Sequence, residues 1–298
     1  MTAEQSSPPP TLVALVLPSL VPVPPYPATL REQKISEIAR ELQKTSGSSD
    51  LAGMAGLIHL GPEWVDRIAE ILGRIGSAGE QLALALATNR DARRWTAADA
   101  AASDPQHATM GVRAQAEMTA MWTLSAAHGL ANALVRLLRL NDDARKSIDA
   151  VFPKAGGFPP FSENPSAWVS FEPNVMKATR QAATASGSPA AIKVAKTLSD
   201  LFGDNRWAKF LELRNVGFHR WRPQSVDGGT PKTSSVTVSG GSHSIEIGIG
   251  PMNIAPDMET VLQVAEAGLD LFSSAAKTMD DNVHAAINEL TGKPLFQV

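Results

Sequence analysis

The chain has 298 residues, 43% of them hydrophobic and 19% charged, with a net charge of −3 and no cysteine. That length and apolar content suit a sizeable core, built as one large domain or two small ones. The missing cysteine excludes disulfides, thiolate zinc sites and cysteine nucleophiles, and the mild acidity gives no global pull toward nucleic acid.

The first 27 residues hold eight of the chain's 21 prolines. Their apolar stretch is broken by Pro18 and Pro22, has no basic segment before it, and is shorter than the roughly 20 residues a bilayer span needs. Residues 1–29 therefore read as a proline-rich arm, with no membrane partner, and the chain as cytoplasmic. Helical spacing starts near Leu30, with Leu30, Ile35, Ile38 and Leu42 on one face and "TSGSSD" as the stop. A second helix is expected from Gly61-Pro62, proline being suited to the first helical position. It carries Trp64, Ile68, Ile71, Leu72 and Ile75, and "LALALA" (82–87) either continues it or follows a kink. Residues 30–104 form an N-terminal helical region on this reading.

Gln106 to Leu140 is the strongest element, 35 residues free of proline and apolar nearly all round at its middle. That pattern belongs to a helix at the centre of a bundle, about 50 Å long. Phe152 to Pro173 is too proline-dense for regular structure and reads as an aromatic-rich loop. Two shorter helices are expected over Val175–Ala185 and Pro189–Phe202. Another begins near Asn205 as its N-cap and ends before Pro223. Val236 and Val238, then Ile245, Ile247 and Ile249, alternate around Gly240-Gly241 and predict a β-hairpin over 234–249. A last long helix is expected from about Pro256 to Leu290.

The helix before Pro223 closes on "LELRNVGFHRWRP". From Asn205 to Arg222 there are five cations (Arg206, Lys209, Arg214, Arg220 and Arg222) against Glu212, a net +4 in 18 residues. Such a strip can place a phosphate inside an acidic chain. Asn215 and His219 lie four apart on one face, whereas Arg214 and His219 point roughly 140° apart on a regular helix. Histidine can act as acid or base near neutral pH, and arginine offers a fixed fork of donors to phosphate oxygens. Trp221 can stack on an unpaired base. The plainer reading is that these cations cap the last carbonyls at the negative end of the helix dipole, while Trp207, Phe210, Leu211, Leu213 and Phe218 supply the core.

"RNVGFH" resembles the signature of the HEPN superfamily, an arginine and a polar residue followed by a histidine. Arg214, Asn215 and His219 fill those positions, and the resemblance extends from Gln106 to Leu290 at best. It implies an antiparallel helical bundle over 105–298, here carrying the extra hairpin. It further implies a metal-independent endoribonuclease with no cofactor, catalytic Arg214, Asn215 and His219, and substrate contacts at Arg220, Trp221 and Arg222. Relatives of this kind belong to bacterial defence and toxin systems, which implies RNA, a second copy of the chain and a neutralising or sensor protein as partners. The alternative within the same resemblance is a non-catalytic module that binds a nucleotide or nucleic acid.

Two further clusters stand out. His128, Asn132, Arg136 and Arg139 form a polar stripe along the central helix, either a second layer behind the site or, preferred here, a buried network that sets helix register. Asp280 or Asp281 with His284, and Glu289 beyond, has a spacing that can hold a metal, but no matching pair occurs on another helix. A solvated helical face is the favoured reading.

Overall fold

Helical spacing of apolar residues produces, in the computed structural model, eight α-helices among the described residues, which are 28–47, 62–96, 105–151, 168–219, 235–240, 243–248 and 258–293. These are α1 (Leu30–Gly47), α2 (Pro62–Trp95), α3 (Pro105–Leu138), α4 (Asp142–Val151), α5 (Pro173–Ser186), α6 (Pro189–Asp200), α7 (Asn205–His219) and α8 (Met258–Thr291). A 3-10 turn, Leu201–Gly203, joins α6 to α7. Strands β1 (Ser235–Gly240) and β2 (His243–Gly248) pair antiparallel, with Val236 opposite Ile247 and Gly240 opposite His243. The side chains of both strands and of residues 215–219, and residues 1–27 of the proline-rich arm, lie outside the described residues.

The long helices α2, α3 and α8 have 34 residues each and build the frame. Antiparallel packing of α2 on α3 is fixed at four levels. The Trp95 ring closes on Gly111, Thr88 bonds Thr119 at 3.0 Å, Ala78 abuts Gly129, and Glu70 binds Arg136. α2 runs as one helix across its glycines. At Gly79 the missing side chain is a packing requirement: a Cβ there would lie 2.7 Å from the Ala39 carbonyl oxygen and 2.8 Å from Leu42 Cβ, so α1 could not approach as it does. Polar ties join α1, α2 and α8 at one end, where Arg31 binds Asp270 at 2.7 Å, Asn89 at 3.1 Å and the Glu266 carbonyl at 3.2 Å.

One continuous apolar cluster runs from Ile35 on α1 to Leu290 on α8, with contributions from every helix. Ile35, Ile38 and Leu42 are in it as the spacing requires, but Leu30, expected on the same face, is 85% exposed. Leu30 is the first residue of α1. No helix among the described residues is long and apolar enough to cross a membrane.

The α4 helix follows α3 after a break at Asn141 that the apolar pattern alone does not mark. The Asn141 side chain accepts from the Asp143 and Ala144 backbone N–H groups, both at 3.1 Å, which is an N-cap. Arg139 then ties α4 back to α3 through Asp149 at 2.6 Å.

Candidate functional site

The motif helix is seated by aromatic packing. Trp207 and Phe210 are fully buried and stack with ring centroids 5.1 Å apart. Trp207 also stacks on Phe272 of α8 at 6.4 Å and meets the edge of Phe171 at 5.9 Å. The Phe210 ring occupies the space of a side chain at Gly268, so a Cβ there would stand 2.1 Å from it. These contacts set α7 antiparallel to α8. The core role assigned to Trp207 and Phe210 holds, and Leu211 and Leu213 are half-buried against the same core.

The start of α7 corrects the expected cap. Asp204, not Asn205, accepts the Arg206 backbone N–H at 2.8 Å. Its other oxygen takes a bond of 2.7 Å from the Arg206 guanidinium. Arg206 therefore spends its charge on a carboxylate that lies one residue outside the span counted as a basic strip. The field offered to a phosphate is correspondingly smaller than the sequence count.

Arg214 follows Trp207 and Phe210 at helical steps of seven and four, so all three share the core-facing stripe of α7. It is half-buried. Its charge acts on His128 of α3. Burial, foremost, and the Arg214 charge, next, push the His128 imidazolium below its ordinary range, while Glu172 partly opposes them. Arg214 and His128, named separately from the sequence, thus belong to one electrostatic neighbourhood. Helix α7 remains regular through His219. Positions 214 and 219 therefore keep their angular separation of about 140°. The side chains of Asn215 and His219, and Arg220, Trp221 and Arg222 entirely, lie outside the described residues.

The α3 stripe ties down the segment between α4 and α5. His128 Nδ1 accepts the Phe171 N–H at 2.7 Å. Asn132 Oδ1 accepts the Val169 N–H at 2.9 Å, and its Nδ2 donates to the Val169 carbonyl at 2.8 Å. Val169 and Phe171 are buried, whereas Trp168 is 56% exposed. Farther along α3, Arg136 binds Glu70, which also holds Arg74 of its own helix at 2.8 Å. The Arg74 guanidinium lies 5.8 Å from the Trp168 ring centroid. His128 and Asn132 thus bond the 169–171 segment, Arg136 bonds α2 and Arg139 bonds α4.

The His128 geometry limits its chemistry. Because Nδ1 accepts a backbone N–H, the ring proton resides on Nε2. A neutral imidazole in that tautomer can donate one hydrogen bond but has no free nitrogen to take a proton. Acid–base work at this site falls to another group.

No family model, curated protein or solved structure matches the chain. The HEPN resemblance thus stands on its own residues.

The carboxylates on α8 have protein partners. Asp280 accepts from Thr45 at 3.0 Å, and Asp281 pairs with Lys277 at 2.6 Å. Glu289 accepts from the Ser188 hydroxyl at 2.6 Å and the Ala190 N–H at 3.0 Å. It therefore supports the N-terminus of α6, while Asp281, His284 and Glu289 are all exposed, as expected for a solvated face. Sequence reading missed Trp168 and Glu172 as neighbours of His128. The signal available was the alternation in "WVSF", which places 168 and 170 opposite 169 and 171.

Proposed function

We propose that the chain is a metal-independent endoribonuclease whose site is built on α7 from Arg214, Asn215 and His219. The observation that carries this reading is the half-buried place of Arg214 on α7, a helix seated by the stacked Trp207 and Phe210 rings. In the reaction, His219 takes the proton from a ribose 2′-hydroxyl, the 2′-oxygen bonds to phosphorus, and the 5′-oxygen leaves with a proton from water, the hydroxide so formed being neutralised by the proton His219 gives up. Arg214 donates to the non-bridging oxygens as the phosphorane forms, and Asn215 orients the imidazole. The products are a 2′,3′-cyclic phosphate and a 5′-hydroxyl.

One chain does not aim positions 214 and 219 at the same point, since they lie about 140° apart on a regular helix. A two-fold homodimer through α7 answers this by setting Arg214 of one copy against His219 of the other. A role in bacterial defence or toxin biology, with a neutralising or sensor protein, follows from the resemblance alone. Incubation with total RNA in excess chelator should release fragments ending in cyclic phosphate. Loss of cleavage on chelation would reject the mechanism. Tight RNA binding without cleavage between about pH 5 and pH 9 would favour the second reading, a phosphate-binding module, which the inward-facing position of Arg214 also accommodates.

A further inference from the structure

Residues 168–171 belong to neither helix nor strand, and side chains of α3 hold their backbone. Asn132 bonds both the N–H and the carbonyl of Val169, and His128 Nδ1 accepts the Phe171 N–H at 2.7 Å. Phe171 is buried and is part of the aromatic seat of the motif helix. Its ring lies 4.8 Å from that of Phe202 and meets Trp207 edge to face at 5.9 Å, and Trp207 stacks on Phe210 and Phe272. One bond to an imidazole nitrogen therefore links α3 to the seat of α7.

We propose that His128 is a proton-operated latch on the motif helix: when Nδ1 takes a proton, Phe171 loses its bond to α3 and the seat of α7 loosens with it. The lone pair that accepts the Phe171 N–H is the one a proton would occupy, because the other ring nitrogen already carries hydrogen. An imidazolium has no acceptor in any ring orientation, so turning the ring does not restore the bond. Nδ1–H would then face the Phe171 N–H, and a buried donor left unpaired is costly. This exchange of an acceptor for a donor does not depend on the balance of nearby charges. Among the described residues, Arg214 from α7 opposes the proton, and Glu172 at the head of α5 favours it. Arg74 from α2, held by Glu70, reaches the Trp168 ring that His128 also meets at 6.3 Å. Burial, the larger cause, lowers the His128 pKa, so the latch opens below the ordinary histidine range. Asn132 has no proton to gain and keeps its hold on Val169, which confines release to the Phe171 end of the segment. The consequence for cleavage rests on the ribonuclease reading, since the motif lies on α7, but the latch itself does not.

The test follows amide hydrogen exchange by NMR in the full-length protein, isotope-labelled at phenylalanine, with the intrinsic pH dependence of exchange divided out. Because release takes up one proton, protection of the Phe171 N–H should fall about tenfold for each pH unit below about pH 6.5, until the His128 ring has titrated. At about pH 5 it should exchange well ahead of the Phe272 N–H inside α8, as local release requires. Near-ultraviolet dichroism of the Trp207 cluster should weaken as the ring titrates. His128→Asn, whose Oδ1 accepts the same N–H and takes no proton, should give flat protection and keep its cleavage to lower pH than the wild type. Should that variant not fold, the wild-type slope and the His128 titration decide by themselves. Protection that stays flat through the His128 titration overturns the proposal, as does the same slope in His128→Asn or equal exchange at Phe171 and Phe272. Release of Phe171 with an unchanged aromatic signal, or equal acid loss of cleavage in wild type and variant, rejects the link to α7. Release in a protein that cleaves no RNA would sink the nuclease reading and leave the latch standing. Cleavage by a protein whose Phe171 protection ignores pH would do the reverse.

Discussion

His128 gives the sharpest residue-level expectation because its tautomer and its charge environment are both defined. Its folded-state pKa lies below 6.5, so between that lowered value and 6.5 the unfolded chain binds more protons than the folded one. The stability linked to this group is therefore present above about pH 6.5 and is lost as pH falls through the window. His128→Asn, whose Oδ1 can accept the Phe171 N–H, should remove that loss. Denaturation midpoints of wild type and variant measured from about pH 7 to about pH 5 should diverge, with the wild type losing more. Parallel curves would mean that His128 titrates normally. Arg214→Gln should in turn raise the His128 pKa in an NMR titration, since the Arg214 charge is one of the two causes lowering it. Asn132 differs in kind, for its role is backbone satisfaction. Asn132→Ala leaves the buried Val169 N–H and carbonyl unpaired and should cost about 2–4 kcal/mol in chemical denaturation. A cost below about 1 kcal/mol would show that water replaces the side chain.

The decisive element is α7, because its placement decides where the motif sits. Its seat depends on Gly268, whose missing side chain admits the Phe210 ring. Gly268→Ala should destabilise the protein by about 1–3 kcal/mol and push α7 outward. Thermal melting reads the first effect, and near-ultraviolet dichroism of the Trp207 cluster reads the second. An unaltered aromatic signal would show that the helix tolerates the methyl group. The early helices were legible because their apolar spacing and proline starts agree. Helix α4 was as legible in principle, since "NDDAR" pairs an asparagine cap with two aspartates in the first turn. The Arg206 pairing was also within reach, because Asp204 adjoins the basic span. Charge counted along a sequence overlooks the carboxylate that caps a helix.

For the molecule as a whole, the angle between positions 214 and 219 leads to a complementation experiment. Arg214→Ala and His219→Ala homodimers should each be inactive, and the mixed heterodimer, which keeps one intact pair across the interface, should recover a substantial part of the cleavage rate. A verified heterodimer with no recovery would reject sharing, and a strictly monomeric protein would reject it sooner. His219→Ala should leave the melting temperature nearly unchanged if the residue is catalytic. A stability loss of about 0.3–1 kcal/mol with full activity would assign it to capping instead.

Local sequence by itself determined that this chain is mainly helical. It also located most of the long segments and marked Trp207 and Phe210 as core, because helical periodicity and proline position act over a few residues. It named Arg214 and His128 in separate elements. Only the tertiary structure decided that they are neighbours, since 86 positions separate them in the chain. The same holds for Trp168, whose environment is assembled from Arg74 on α2 and His128 on α3. Burial and charge at a site depend on what other helices bring to it, and no local pattern carries that information.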